Sequence, residues 1–205
     1  MSKRFILTLF IGVVLIALIL LWRFNRVPIK ENSLVSLGGK FLNILPKKDS
    51  AYFLQGDPRW GNDKLGGSGE EFSATGCLIC AISMAGSELG YEITPKILNI
   101  ELKTLHGFTQ EGWLIWSKIG SATKGNLEAN VLSDFNHSDI DEALENGMIP
   151  VVKYYIAPGV PHWIPIVGKN GLEYLVKDSL DSSKEISNLS SKTYKIVSLR
   201  LIKKG

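Results

Sequence analysis

Two residue types in this chain carry the means for covalent chemistry, and both are scarce: the cysteines Cys77 and Cys80, and the histidines His106, His137 and His162. A thiol becomes a useful nucleophile when a base takes its proton and a third group orients that base, and a helix N-terminus favours the thiolate. Cys77 follows Thr75-Gly76 and opens a run in which Cys77, Ala81, Met84 and Ala85 recur at helical spacing, ended by Gly90. The free amides and positive dipole end of that helix would lie at its sulfur. Of the histidines, His106 falls in a Gly-flanked loop and His137 just ahead of a helix cap. His162 opens a strand in Pro161-His162-Trp163-Ile164. Asp178 ends the next strand, in Val176-Lys177-Asp178-Ser179, and a turn at Asn170-Gly171 would bring His162 and Asp178 together at one end of a hairpin. The carboxylate could then orient the imidazole and stabilise its charged form.

The same residues admit other chemistry. Cys77-Leu78-Ile79-Cys80 is a Cys-x-x-Cys motif at a helix start, the arrangement of thiol–disulfide oxidoreductases. A thioredoxin-like chain would place that motif after an early strand in a βαβ pattern, which is not the order here. In an oxidising compartment a Cys77–Cys80 disulfide would act as a redox latch on the nucleophile. Zinc lacks a second cysteine pair or a close histidine pair. Cys80 also fits as a small core residue one turn along the helix. Trp60, Trp113, Trp116 and Trp163 could line a cleft or simply fill a core.

Elements must hold these residues in place. Thr94-Pro95 reads as the cap and first position of a helix through about Lys103, a short helix follows near Trp113 to Ile119, and Ser138 caps another over Asp139 to Asn146. From Pro150 the period changes to short β-branched and aromatic runs at Val151-Val152, Trp163 to Val167, Tyr174 to Val176 and Tyr194 to Ile202. Helices first and strands afterwards give an α+β fold, with helices on one face of an antiparallel sheet. Ahead of this domain, at 51–205, residues 23–50 carry Pro28, Gly38-Gly39, Pro46 and Lys47-Lys48 and read as a linker.

Phe5 to Trp22 is an uncharged run of 18 residues between Lys3-Arg4 and Arg23. As a helix it would be about 27 Å long, near the hydrocarbon thickness of a bilayer. No small-residue cleavage site follows, so residues 1–22 are expected to be an uncleaved signal anchor: one transmembrane helix, a single-pass membrane protein and an extracytoplasmic domain. The net charge of +3 comes from the residues flanking this run; from Glu31 onward 18 basic residues face 20 acidic ones. That balance lacks the basic footprint of a nucleic-acid binder. Two cysteines exclude a disulfide-dense scaffold. No motif implies a metal or an organic cofactor.

Gln55-Gly56-Asp57-Pro58-Arg59-Trp60, Thr75-Gly76-Cys77-Leu78, Thr94-Pro95 with Leu98-Asn99, Pro161-His162-Trp163 and Val176-Lys177-Asp178, in that order, resemble the bacteriocin-processing cysteine peptidases, the papain-like family thirty-nine, and its stand-alone relatives. The resemblance covers about residues 51–202. It implies a papain-like fold, a helical half carrying the nucleophile and a sheet half carrying His and Asp or Asn. Residue by residue it implies Cys77 as nucleophile, His162 as general base and then acid, Asp178 as orienting residue and Gln55 as oxyanion donor beside the Cys77 amide. Leu78-Ile79 stands where the family often has Gly-Pro, which sets the chain apart from the transporter-linked enzymes that cut double-glycine leaders.

The function expected from this is a membrane-anchored cysteine peptidase-like hydrolase, cleaving an amide bond through a Cys-His-Asp triad and a thioester acyl-enzyme. Its expected partner is a peptide or peptidoglycan stem peptide. The alternative is a catalytically inactive papain-like module that binds a peptide or the cell wall.

Overall fold

Residues 33–205 are described by the computed structural model of the protein. Their helices are α1 (Phe72–Thr75), α2 (Cys77–Glu88), α3 (Pro95–Thr104), α4 (Ile119–Ala122), α5 (His137–Glu145) and α6 (Leu189–Lys192). The helix expected at Cys77 is α2, and ten of its twelve residues are buried. Thr94 caps α3, its hydroxyl accepting from the Ile97 amide, with Pro95 in the first turn. The short helix expected near Trp113 is instead a 3-10 turn at Trp116–Lys118 running into α4. Asn136 rather than Ser138 caps α5: its side chain accepts from the Ser138 amide at 2.7 Å, while the Asp139 carboxylate accepts from the Asn136 amide at 2.8 Å.

The strands are β1 (Leu34–Val35), β2 (Leu37–Ile44), β3 (Leu127–Leu132), β4 (Ile149–Ala157), β5 (Val160–Val176), β6 (Ser187–Asn188), β7 (Lys195–Ile196) and β8 (Ser198–Lys204). All pairings are antiparallel, and the main sheet runs β2-β5-β4-β8-β3, with β6 beside β5. Strands β1 and β2 fall in the stretch read as linker. Their partners are β7 and β5, far along the chain, so contacts invisible in local sequence make them strands.

Residues that alternate along β4 and β8 face opposite sides of the sheet. Val151 and Ile202 join the core built by α2, α3 and α4, with Cys80, Met84, Leu98 and Ile119. Val152 and Leu199 join a second core with Ile140, Ala143 and Leu144 of α5. Helices therefore cover both faces rather than one, because α5 carries its own apolar stripe to the far side.

The transmembrane helix expected at 1–22 lies outside the described residues. Among the described residues no helix is long and apolar enough to cross a membrane. The twelve-residue α2 reaches about 18 Å, against about 30 Å of hydrocarbon. The fold stands as α+β with helices packed against a sheet. The expectation is corrected to that extent: the described residues supply no signal anchor, no single-pass span and no membrane-contacting helix.

Candidate active site

Cys77 is the first residue of α2, and Gly76 precedes it with no side chain capping the helix. A side chain at position 76 would be barred by Phe72, whose ring lies 2.3 Å from where a Cβ would stand. The first-turn amides of this twelve-residue helix thus lack a side-chain acceptor, and Cys77 stands at that positive end. Cys77 and Cys80 are both free and buried. Cys80 points into the core, where burial first, then the Cys77 and Asp57 charges, push its thiol well up. It is a packing residue, with no disulfide latch formed.

His162 Nε2 lies 2.8 Å from Asp178 Oδ1, with both side chains almost fully buried. Sixteen residues of straight strand would separate them by about 50 Å, so β5 doubles back between them. Gly171, at φ +63°, supplies the left-handed residue such a reversal needs. Four contacts hold the carboxylate end. Tyr52 donates to the Asp178 carbonyl at 2.9 Å and accepts from its amide at 2.8 Å. The Leu180 amide donates to Asp178 Oδ1 at 3.0 Å, and Lys192 Nζ stands 3.4 Å from Oδ2. Tyr154 presents an edge-on ring to the imidazole, centroids 5.4 Å apart.

Cys77 is the imidazole's second electrostatic neighbour. Burial pulls the His162 pKa down, but the hydrogen bond with Asp178, and the neighbouring Cys77 and Asp178 charges, outweigh it and raise it to about 9. For Asp178, burial pushes upward and is outweighed by the hydrogen bonds from His162 and the Leu180 amide, leaving its pKa below the ordinary value. The three side chains thus adjoin in the order Cys77, His162, Asp178.

Gln55 is buried nearby, its backbone amide donating to the Ser179 carbonyl at 2.9 Å. Its Nε2 donates to the Ser73 carbonyl at 2.6 Å, and its Oε1 has no partner. The side-chain donor that the resemblance assigns to an oxyanion is therefore engaged with the backbone ahead of α2.

A cleft of about 270 Å³ opens beside Cys77, walled chiefly by Leu65, Leu78, Phe108, Trp113, Pro161 and Trp163. Of the four tryptophans weighed as cleft residues, Trp60 is core, its indole donating to the Leu54 carbonyl. Trp113 and Trp163 line the cleft, and Trp116 packs on Trp163 at 5.6 Å. His106 and His137 stand apart from it, the first in a loop at φ +51° and the second stacked on Tyr174. Among the described residues no group of three His, Cys, Asp or Glu side chains could hold a metal ion.

No family model matches the sequence. No curated protein matches it either. Among solved structures, a crystal structure of a C39-like peptidase from Bacillus anthracis superposes with a TM-score of 0.46 at 11% identity, covering 80% of this chain and 99% of that one. The likeness is distant and partial, and it transfers no residue role.

These findings correct the expected function of a membrane-anchored peptidase that cleaves an amide bond through a Cys-His-Asp triad. No described helix crosses a membrane, and the Gln55 side-chain amide is turned to Ser73. The arrangement present is an apolar cleft beside a buried thiol–imidazole–carboxylate row.

Proposed function

We propose that this domain is a peptide-binding module of papain-like build, with the cleft beside Cys77 as its recognition site. The observation that carries this is the cleft itself. Its volume is close to the lower end for ligand pockets, and its walls are apolar and aromatic with few polar groups. Trp113 is 65% exposed beside it, a large aromatic surface left uncovered among the described residues. An extended peptide laying one apolar side chain into the cleft would bury that surface.

A specific observation favours a second reading, a thiol hydrolase. His162 held by Asp178 at 2.8 Å beside Cys77 suits a nucleophile and its base, with Asp178 as the orienting residue and Gln55 as a donor once its side chain turns from Ser73.

One experiment separates the two. The full chain is titrated with pools of random hexapeptides, and iodoacetamide alkylation of Cys77 is followed from pH 4 to 9 in wild type and His162→Ala. Peptide binding without new termini, and alkylation unaffected by loss of His162, is the result expected for a binding module. New termini, with fast alkylation at low pH that His162→Ala slows, establishes the hydrolase. Failure of every pool to bind, with no effect on Cys77, overturns both.

A further inference from the structure

A second pocket, of about 330 Å³, adjoins the cleft and shares Leu78, Trp113, Leu114, Pro161 and Trp163 with it. The two differ in charge. The cleft beside Cys77 has Glu70 and Glu111 among its lining residues and no Lys or Arg, whereas the adjoining pocket has Lys153 and Arg200 and no carboxylate.

Arg200 is the unusual residue. It sits on β8, opposite Val151 of β4 on one side and Val131 of β3 on the other, in the interior of the sheet. Its guanidinium carbon lies 5.3 Å from the Trp116 ring centre and 5.6 Å from that of Trp163, so two indoles hold it. Nη1 donates to the Leu199 carbonyl at 2.7 Å and the Leu132 carbonyl at 3.5 Å, while Nε is buried with no acceptor. Burial pulls its pKa down. A half-buried guanidinium resting on aromatic rings, with an unused donor and neutral carbonyls for partners, is an incomplete ion-pair site.

We propose that Arg200 forms a subsite for a carboxylate on the bound ligand, set on the far side of the Trp113–Trp163 wall from Cys77. This rests on the peptide-binding reading above and gives the peptide a direction. Its apolar side chain lies in the cleft, and an acidic side chain or terminal carboxylate reaches Arg200. A planar carboxylate matches the fork of guanidinium donors, and the half-buried setting strengthens the contact.

The test uses two probes on the full chain, phenylacetate and its neutral isostere phenylacetamide, followed by tryptophan fluorescence. Phenylacetate is expected to bind wild type at least fivefold more tightly than phenylacetamide. Arg200→Gln should abolish the difference and Arg200→Lys should keep part of it. Equal affinity of the two probes for wild type, or no binding by either, overturns the subsite whether or not Arg200→Gln folds. Hexapeptides that bind are then compared as free acids, as C-terminal amides, and with Glu and Asp replaced by Gln and Asn. Weakening by the terminal amide alone assigns the carboxylate to the C-terminus; weakening by the side-chain replacement assigns it to an acidic residue. Peptides that bind without regard to any carboxylate overturn the subsite and leave the peptide-binding module standing. A phenylacetate preference with no peptide bound supports the subsite and removes the peptide.

Discussion

His162 has an elevated affinity for its proton in the folded chain, and this makes stability depend on pH in a defined direction. A group whose folded pKa is raised adds stability that is fully present below its unfolded value, near 6.5, and is lost as pH rises through the folded value of about 9. The window is therefore pH 6.5 to 9, and the loss across it is on the order of 2–3 kcal/mol. Urea unfolding of wild type and His162→Gln at pH 6, 7.5 and 9 should give curves that converge as pH rises, because the variant lacks this contribution throughout. Parallel curves would show that the charged imidazole is not favoured by its neighbours. Asp178 acts in the opposite sense. Its carboxylate is favoured in the fold, so its contribution is present above the ordinary carboxylate range and is lost as pH falls through its lowered value. Asp178→Asn should remove Asp178's share of the acid-side fall, and it should lower the pH at which His162 titrates, which histidine NMR reads directly.

Helix α2 and the end of β5 must keep a fixed relation for Cys77 and His162 to adjoin, and a buried ion pair ties them. Lys177 Nζ lies 2.7 Å from Glu88 Oε1 with both side chains nearly fully buried, and it also donates to Ser50 Oγ at 2.6 Å. Glu88 is the last residue of α2, where the helix dipole disfavours a negative charge, so the Lys177 ammonium offsets both burial and dipole. Lys177→Met leaves Glu88 buried without that cation and should cost about 3–5 kcal/mol in urea unfolding. Because Lys177 adjoins Asp178, the variant should also broaden the His162 resonances. A cost under about 1 kcal/mol, the worth of an exposed pair, would mean that water reaches Glu88.

Elements built on local signals were legible in the sequence, as at α2 and at the Thr94-Pro95 start of α3. The Asn170-Gly171 reversal was legible too, since turn chemistry is written in adjacent residues. Strands β1 and β2 were not. Leu37–Ile44 alternates weakly, keeps most residues exposed and contains Gly38-Gly39, and only pairing with a distant strand makes it β. Arg200 was missed for a related reason. Its seat on Trp116 and Trp163, beside a pocket lined by no carboxylate among the described residues, is a property of three-dimensional packing, and its nearest signal, a lone arginine between apolar residues of a strand, is weak.

At the scale of the whole domain, the two cores leave β2 as an outer strand that contributes little apolar burial, and polar contacts take over its attachment. Lys169 and Asp141, both fully buried, form an ion pair between β5 and α5. Lys169 Nζ also donates to the Gly38 carbonyl at 2.8 Å, and Asp141 Oδ2 accepts from the Lys40 amide at 2.6 Å, so the pair grips β2 from both sides. Gly39 lies between them at φ +76°, where a Cβ would stand 2.1 Å from Asp141 Oδ2, which is why the strand carries glycine at its closest approach. Tyr174 completes the cluster with its ring 4.5 Å from Lys169 Nζ.

A buried ion pair need not stabilise the fold relative to apolar residues, but removing one partner strands the other. Asp141→Asn should therefore cost about 3–5 kcal/mol. The double variant Asp141→Leu with Lys169→Met should recover much of that loss, less what the freed Lys40 amide and Gly38 carbonyl cost. Urea unfolding of both variants at constant denaturant slope measures the two values. A double variant as unstable as Asp141→Asn would show that the grip on β2, rather than the stranded charge, is what the cluster supplies.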